Sequence, residues 1–335
     1  MYRKIEDVTL KNGERAELGV VLGPDEAIEL RHLLGHKGSV WKWQIEQSLD
    51  RKFEHVESRF YTLSKAGRPF ANVMTVESHG AGIFGHVYTA PEERRKGAAE
   101  IIQRHQMADF KQRGGRALYL GTGYDTPPFH LYARHGFQGV EPGSGYMCWF
   151  ADSQQSFERD VFAKAAVRHK PLAFEHWPTL PALAMMSHPA RIRIAGMDVI
   201  NVRSTEGGSL PYLVAMYNPD NDPDSKTAGA KSWVAISKKS NFPVAIAAII
   251  PEHYFWSQAL LLDLFCAPGF ESELPKLVEK LQVPSGRNVI CYADALWPEK
   301  QQVLQTCGFT KEAQLKKHLK SHDQIHDVEL WTFCG

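Results

Sequence analysis

The sequence predicts a mixed α/β protein built from two similar domains, and three observations predict it. At 335 residues the chain exceeds the roughly 100–200 residues of an ordinary single domain. Its first half mixes short β-branched and aromatic runs with amphipathic helical stretches, without the strict βαβ alternation of a parallel sheet. Its second half then repeats landmarks of the first in the same order. Residues 116–121 are answered by 287–292, Gly136-Phe137 by Gly308-Phe309, and the closing run Tyr146 to Phe150 by Glu329 to Phe333. Thr89-Ala90-Pro91 is answered by Cys266-Ala267-Pro268 at nearly the same spacing. Ordered recurrence of this kind reads as a duplication. The expected division is a domain over 1–150, a linker over 151–168 that carries a short helix, and a second domain over 169–335.

Within the first domain, Ala16 to Leu22 reads as a strand. Pro24, Asp25 and Glu26 offer a helix start, followed by two amphipathic segments reaching Leu49. Phe60 to Ser64 and Pro69 to Val76 are strand-like and flank the turn signal Lys65-Ala66-Gly67-Arg68. A third such run, Gly82 to Thr89, stops at Pro91. A helix is expected from Gly97 to Arg113, with Ala98, Ile101, Ile102, His105 and Ala108 on its inner face, ending at Gly114-Gly115. Ala117 to Gly121 then reads as a strand, Pro128 to Arg134 as a helix and Gly145 to Phe150 as the closing strand.

Composition narrows the function classes. Lys and Arg number 39 against 38 Asp and Glu, so no bulk electrostatic case exists for nucleic acid or an anionic membrane as partner. Met1 to Asp7 lacks the apolar core of a signal peptide, and no apolar run approaches spanning length. The five cysteines are scattered and never spaced as CxxC, which fits reduced thiols. The expectation is a soluble cytoplasmic protein, with oligomeric state open.

The chemically informative stretch is Thr89 to Ala99. It sets a basic, glycine-containing turn between a strand and a helix. A diphosphate needs backbone N–H groups that it can approach closely, and a helix N-terminus supplies such donors with a favourable dipole. Gly97 removes a side chain at the approach, Ala98 and Ala99 keep the first turn small, and Arg94, Arg95 and Lys96 add positive charge.

Arg94-x-x-Gly97-x-Ala99 after a strand and a proline turn resembles the pyrophosphate-binding motif of the GNAT superfamily of acyl-CoA N-acyltransferases. Downstream, Leu131 to Phe137 resembles that family's LYxxxGF segment, and Asp125 stands where many members carry Asn. The resemblance covers most of residues 15–150. It implies a central, mostly antiparallel sheet flanked by helices in each of two tandem domains, with acetyl-CoA as cofactor. A small-molecule amine or a peptide is the implied acceptor. By the same resemblance, backbone donors at Val87, Tyr88 and Thr89 contact the cofactor, and Tyr132 is the general-acid candidate for the departing thiolate.

Two general-base candidates come from the strands, His86 for its imidazole and Glu77 at the end of the preceding strand. Alternation places Ile83, Val87 and Thr89 on one face and Phe84, His86 and Tyr88 on the other. Trp41 and Trp43 fall where an acceptor pocket is expected. Aligned on its strand end, the second copy carries Glu271, Leu274 and Lys276 in place of Arg94, Gly97 and Ala99, and Leu304 in place of Tyr132. That copy is expected to have lost its cofactor site. Asp220, Asp222 and Asp224 resemble the start of a calcium loop, but Pro223 interrupts it. His318, His322 and His326 would share a face only if 311–326 were helical, so no metal site is expected. A protein that senses CoA or binds a partner without turnover is the alternative function.

Overall fold

The computed structural model describes residues 2–23, 28–50, 53–217, 229–252, 259–283, 286–321 and 324–334. Two compact units emerge, the first comprising Met1–Gly139 and Ser144–Ser153, the second Val140–Gly143 and Gln154–Gly335.

The first unit runs β1 (Tyr2–Thr9), β2 (Arg15–Val21), α1 (Ile28–Leu33), α2 (Ser39–Asp50), β3 (Val56–Lys65), β4 (Arg68–Ser78), β5 (Ala81–Thr89), α3 (Ala98–Gln112), β6 (Ala117–Gly121), α4 (Pro127–Arg134), β7 (Gln138–Gly139) and β8 (Tyr146–Phe150). Its sheet has the order β1-β2-β3-β4-β5-β6-β8-β7. Only the β5–β6 pairing is parallel. The β3–β4 hairpin closes on Ala66 and Gly67, both at positive φ (48° and 76°), the two-residue turn whose twist matches the flanking strands. Strand β4 is buried from Phe70 to Ser78, as expected for a central strand covered on both faces.

Two local expectations change, and a third is untested. Strand β1 was not anticipated, because its sequence YRKIEDVT is mostly exposed and lacks an apolar alternation; it pairs along β2 as a charged edge. The proposed helix start at Pro24, Asp25 and Glu26 lies outside the described residues. The inner face of α3 is rotated from the expected one. Ala98, Ile102, Gln103, Gln106, Met107 and Phe110 are buried, whereas Ala108 is exposed and His105 reaches out to Glu6 at 2.9 Å.

The second unit runs α5 (Gln154–Val161), β9 (Val167–Pro171), α6 (Leu180–Ala184), β10 (Ile192–Ile194), β11 (Val199–Ile200), α7 (Leu210–Tyr217), β12 (Lys231–Ser237), β13 (Pro243–Pro251), β14 (Leu260–Cys266), α8 (Leu274–Leu281), β15 (Asn288–Asp294), α9 (Pro298–Thr306), β16 (Thr310–Ser321) and β17 (Gln324–Cys334). Its main sheet, read from the other edge, is β9-β12-β13-β14-β15-β17-β16, and again one pairing alone, β14–β15, is parallel. Strand for strand this repeats β2-β3-β4-β5-β6-β8-β7. The helix-to-strand turns repeat too. Gly136 and Gly308 sit at φ 91° and 84°. Phe137 donates its N–H to the Tyr132 carbonyl at 3.2 Å, as Phe309 does to that of Leu304 at 2.9 Å. Tyr132 and Leu304 therefore hold equivalent places.

Helix α5, expected within the linker, buries Phe157 and Val161, with Phe157 against Phe242. Residues 310–321 form a strand rather than a helix, which removes the shared face for His318 and His326. The Asp220 to Asp224 run and His322 lie outside the described residues. Among the described residues no group of three or more His, Cys, Asp or Glu is placed to hold a metal ion. Among the described residues no helix is long and apolar enough to cross a membrane.

Candidate functional site

The first unit's sheet opens where β5 leaves β6. The two strands pair only at Ala81, Gly82 and Ile83 with Ala117, Leu118 and Tyr119. Beyond that point β5 stays with β4 to Thr89, while β6 stays with β8 to Gly121. Residues 84–89 of β5 thus border a widening cleft, and α3 and α4 start at its open end.

A bulge shapes this edge. Asn72 pairs with Tyr88 but Met74 with Gly85, so His86 and Val87 together face Val73. His86 takes φ 48°, and the Asn72 side-chain amide donates to its carbonyl at 2.9 Å. An extra residue re-aims the side chains that follow. Phe84 and Val87 consequently share the α3/α4 side and its core, whereas the expected alternation had separated them. His86 and Tyr88 look toward α1 and α2.

His86 is buried. Its Nε2 lies 2.6 Å from Gln44 Oε1, an acceptor only, so that nitrogen carries the proton. Burial drives its pKa down to about 3, with smaller contributions from the nearby Lys37 and His36. A depressed pKa keeps the imidazole neutral and makes it a weaker base than a free histidine, base being the role the sequence proposes for it. Its ring meets Trp41 edge-on at 5.3 Å, and Tyr88 meets His36 at 4.1 Å. Trp41 is therefore part of this aromatic cluster.

Glu77, the other base candidate, lies elsewhere on the sheet. It pairs in register with Gly82, at the closed end of the cleft. Arg113, at the far end of α3, grips it through two hydrogen bonds of 2.6 and 2.9 Å, and the Thr75 hydroxyl donates at 2.5 Å. Burial alone would lower the Arg113 pKa, but the Glu77 carboxylate outweighs it and holds that pKa well above its usual value. Val87 lies five residue steps along the strand from Gly82, roughly 16 Å. The carboxylate is an anchor for α3, remote from the cleft mouth.

At the mouth, β5 leads into a 3-10 turn over Pro91–Glu93 and then into α3. Arg95 at φ 64° and Gly97 at φ 85° fold the backbone back so that Gly97 caps α3. No side chain caps that helix. Among the described residues no hydrogen bond takes the N–H groups of Gly97, Ala98 or Ala99, the orphan donors of a helix start. Arg94 donates Nε to the Thr89 carbonyl at 3.0 Å, and its guanidinium lies over the Tyr88 ring at 6.0 Å. Arg94 and Arg95 are exposed, Ala98 is buried and Ala99 half-buried.

Two details differ from expectation. Lys96 is bound to carboxylates, 3.0 Å from Glu93 and 3.2 Å from Glu14, which Lys65 also bridges. The Lys65 and then the Lys96 hydrogen bonds hold the Glu14 carboxyl down at about 2. The cationic side chains left at the loop are Arg94 and Arg95. The space that a Cβ on Gly97 would enter belongs to the Lys11 stem, at 3.0–3.2 Å, and Lys11 N–H binds the Lys96 carbonyl at 3.0 Å. Gly97 thus admits the β1–β2 hairpin and supplies the left-handed turn.

Tyr132 sits in α4, buried in the core, with ring centroids 5.3 Å from Phe84 and 6.3 Å from Phe137. Phe84 ties it to the first cleft residue of β5. Asp125, at φ 56°, is exposed and pairs with His130 Nε2 at 2.8 Å beside the first turn of α4. Sequence reasoning missed Gln44, which orients His86, and Lys11, which covers Gly97. Gln44 lies one residue past the highlighted Trp41-Lys42-Trp43, on a helix whose buried positions include it.

The second unit keeps the cleft topology with different residues around it. Strand β14 runs beside β13 in unbroken register, without the bulge. Helix α8 begins with Glu273 at its cap and Pro275 in its first turn, which adds a negative charge and removes an N–H. Helix starts therefore match Glu273, not Leu274, to Gly97. Leu274 is fully buried, and Glu273 is held by His169 and Lys276, each at 2.8 Å. Leu304 carries no hydroxyl.

No protein-family model and no curated protein matches the chain. Solved structures do match. A spermidine N-acetyltransferase from Vibrio cholerae in complex with CoA and spermine is 13% identical, covering 50% of this chain and 94% of that one, at a TM-score of 0.35. A protein of Acinetobacter baylyi assigned as an acetyltransferase is 11% identical over 52% of this chain and 95% of that one, at 0.38. One from Klebsiella pneumoniae assigned as an acyl-CoA N-acyltransferase is 22% identical over 40% and 97%, at 0.31. Likenesses at this level leave the assignment to the chain's own topology and loop. The loop from Arg94 to Gly97, which the sequence likens to the GNAT pyrophosphate motif, lies in the first unit and leads into α3.

Proposed function

We propose that the first unit is an acyl-CoA-dependent N-acetyltransferase acting on a primary amine, and that the second is a copy of the same fold without a cofactor site. The carrying observation is the juxtaposition of three features at one cleft: the uncapped N-terminus of α3 behind Arg94 and Arg95, the bulged free edge of β5, and Tyr132 packed on Phe84. The helix start would receive the diphosphate of CoA. Backbone groups of Val87 to Thr89 would hold the pantetheine arm along the splayed strand.

The acceptor nitrogen attacks the thioester carbonyl carbon, the carbon–sulfur bond breaks, and the Tyr132 hydroxyl protonates the leaving thiolate and regains a proton from solvent. With His86 and Glu77 both committed to structural partners, the amine reacts in its neutral form and gives its proton to solvent at the cleft mouth. The aromatic group of His36, Trp41 and Tyr88 forms the acceptor side.

Calorimetry tests the cofactor site. One CoA per chain is expected, and Gly97→Glu should weaken binding at least 100-fold, because it places a carboxylate at the positive end of α3 and a side chain where φ is left-handed. A folded variant that binds as wild type does, or two equivalent sites per chain, would reject the assignment.

A further inference from the structure

The second unit's cleft is not empty. Strands β14 and β15 pair only at Leu260 and Leu261 with Val289 and Ile290, so a gap opens beyond them as it does in the first unit. A segment of the same unit, residues 191–197, is bonded to both strands beyond that point. At one side the Asp294 carboxylate, at the end of β15, accepts the N–H groups of Arg191 and Ile192 at 2.8 and 2.7 Å. At the other side Asp263 of β14 accepts the N–H of Gly196 at 2.8 Å. From α9, the helix equivalent to α4, Lys300 donates to the Ile192 carbonyl at 3.4 Å. The Gly196 carbonyl is taken by the Tyr212 hydroxyl.

The segment is built to stay. Ile192, Ile194, Ala195 and Met197 are buried, and Arg193 is fully so. That guanidinium is satisfied by the carbonyls of Ala184, Met186, His188 and Ala190 at 2.6 to 3.1 Å, and it lies 5.4 Å from the Phe265 ring. Pairing with β11 holds the outer edge. A side chain on Gly196 would collide with Ile250 and the Asp263 carboxylate, so glycine there lets the backbone reach β14.

We propose that residues 191–197 are an intramolecular stand-in for the cofactor: they occupy the strand gap of the second unit permanently, close it to CoA, and make that unit's fold independent of ligand. The identification of the gap with a CoA cleft rests on the function proposed above; the occupancy does not. In the first unit no segment ties β5 to β6 in this way among the described residues, so only that unit should respond to CoA.

Hydrogen exchange on the full chain tests this. In the wild type the amides of 191–196 should be among the slowest of the second unit. Saturating CoA should slow exchange at 84–100 and leave 260–266 and 288–294 unchanged. Asp294→Ala and, separately, Gly196→Val should each speed exchange across 191–196 at least tenfold while β12 and β13 stay protected. Wild-type amides at 191–196 that exchange like an open loop would overturn the proposal, as would CoA protection at 260–266. Were 84–100 to ignore CoA while 191–196 stayed slow, the stand-in would hold and the function assigned to the first unit would fall.

Discussion

Replacing Glu77 by Gln separates an anchoring carboxylate from a catalytic one. The side chain is 7% exposed and its partner Arg113 26%, so little solvent screens the pair. In the variant one carboxyl oxygen becomes an amide that points N–H groups at the guanidinium, and at least one of the two Arg113 hydrogen bonds is lost. A hydrogen bond between charged groups contributes about 1.5–3 kcal/mol. Arg113 retains Asp109 at 2.8 Å and Glu57 at 3.7 Å, which soften the loss. The expected destabilisation is about 1–3 kcal/mol, or a fall of roughly 3–10 °C in the melting of the first unit. Scanning calorimetry reads that fall. Single-turnover acetyl transfer, followed by thiol release at 25 °C, should stay within about twofold of wild type, because the carboxylate lies far from the cleft mouth. A rate lowered a hundredfold with unchanged melting would refute this and return Glu77 to the role of base.

Two other outcomes are expected. Tyr132→Phe keeps the ring against Phe84 and Phe137, so the Kd for acetyl-CoA should hold while the single-turnover rate falls at least tenfold, the lower range of general acid catalysis; an unchanged rate would make Tyr132 a packing residue. Burial first raises the Asp263 pKa from 3.8 to about 6, against the lowering by Lys300 and the Gly196 and Ala195 N–H groups. The folded state thus holds a proton that the unfolded chain releases, and this carboxyl's contribution to stability is full below pH 4 and lost as pH rises to 6, by about 3 kcal/mol at most. Urea unfolding of wild type minus that of Asp263→Asn should show that loss between pH 4 and 6.5; a flat difference would exclude it.

The sequence by itself determined most elements of the first unit and the recurrence of its landmarks in the second. Alternation set β3 to β6, the glycine pairs set the turns and helix ends, and Gly136-Phe137 against Gly308-Phe309 matched Tyr132 to Leu304. The loop of Arg94 to Ala99 was legible because its backbone chemistry leaves a local mark, a glycine and small residues at a helix start. Tertiary structure decided the rest. The bulge at His86 turns Phe84 and Val87 to one face, a consequence of how β5 registers on β4 that no period along β5 alone reveals. Whether His86, Glu77 and Lys96 act or anchor depended on Gln44, Arg113, Glu14 and Glu93, partners distant in sequence for all but Glu93. The occupied gap in the second unit was equally invisible, since Asp263, Asp294 and Gly196 become one site only when β14, β15 and residues 191–197 converge.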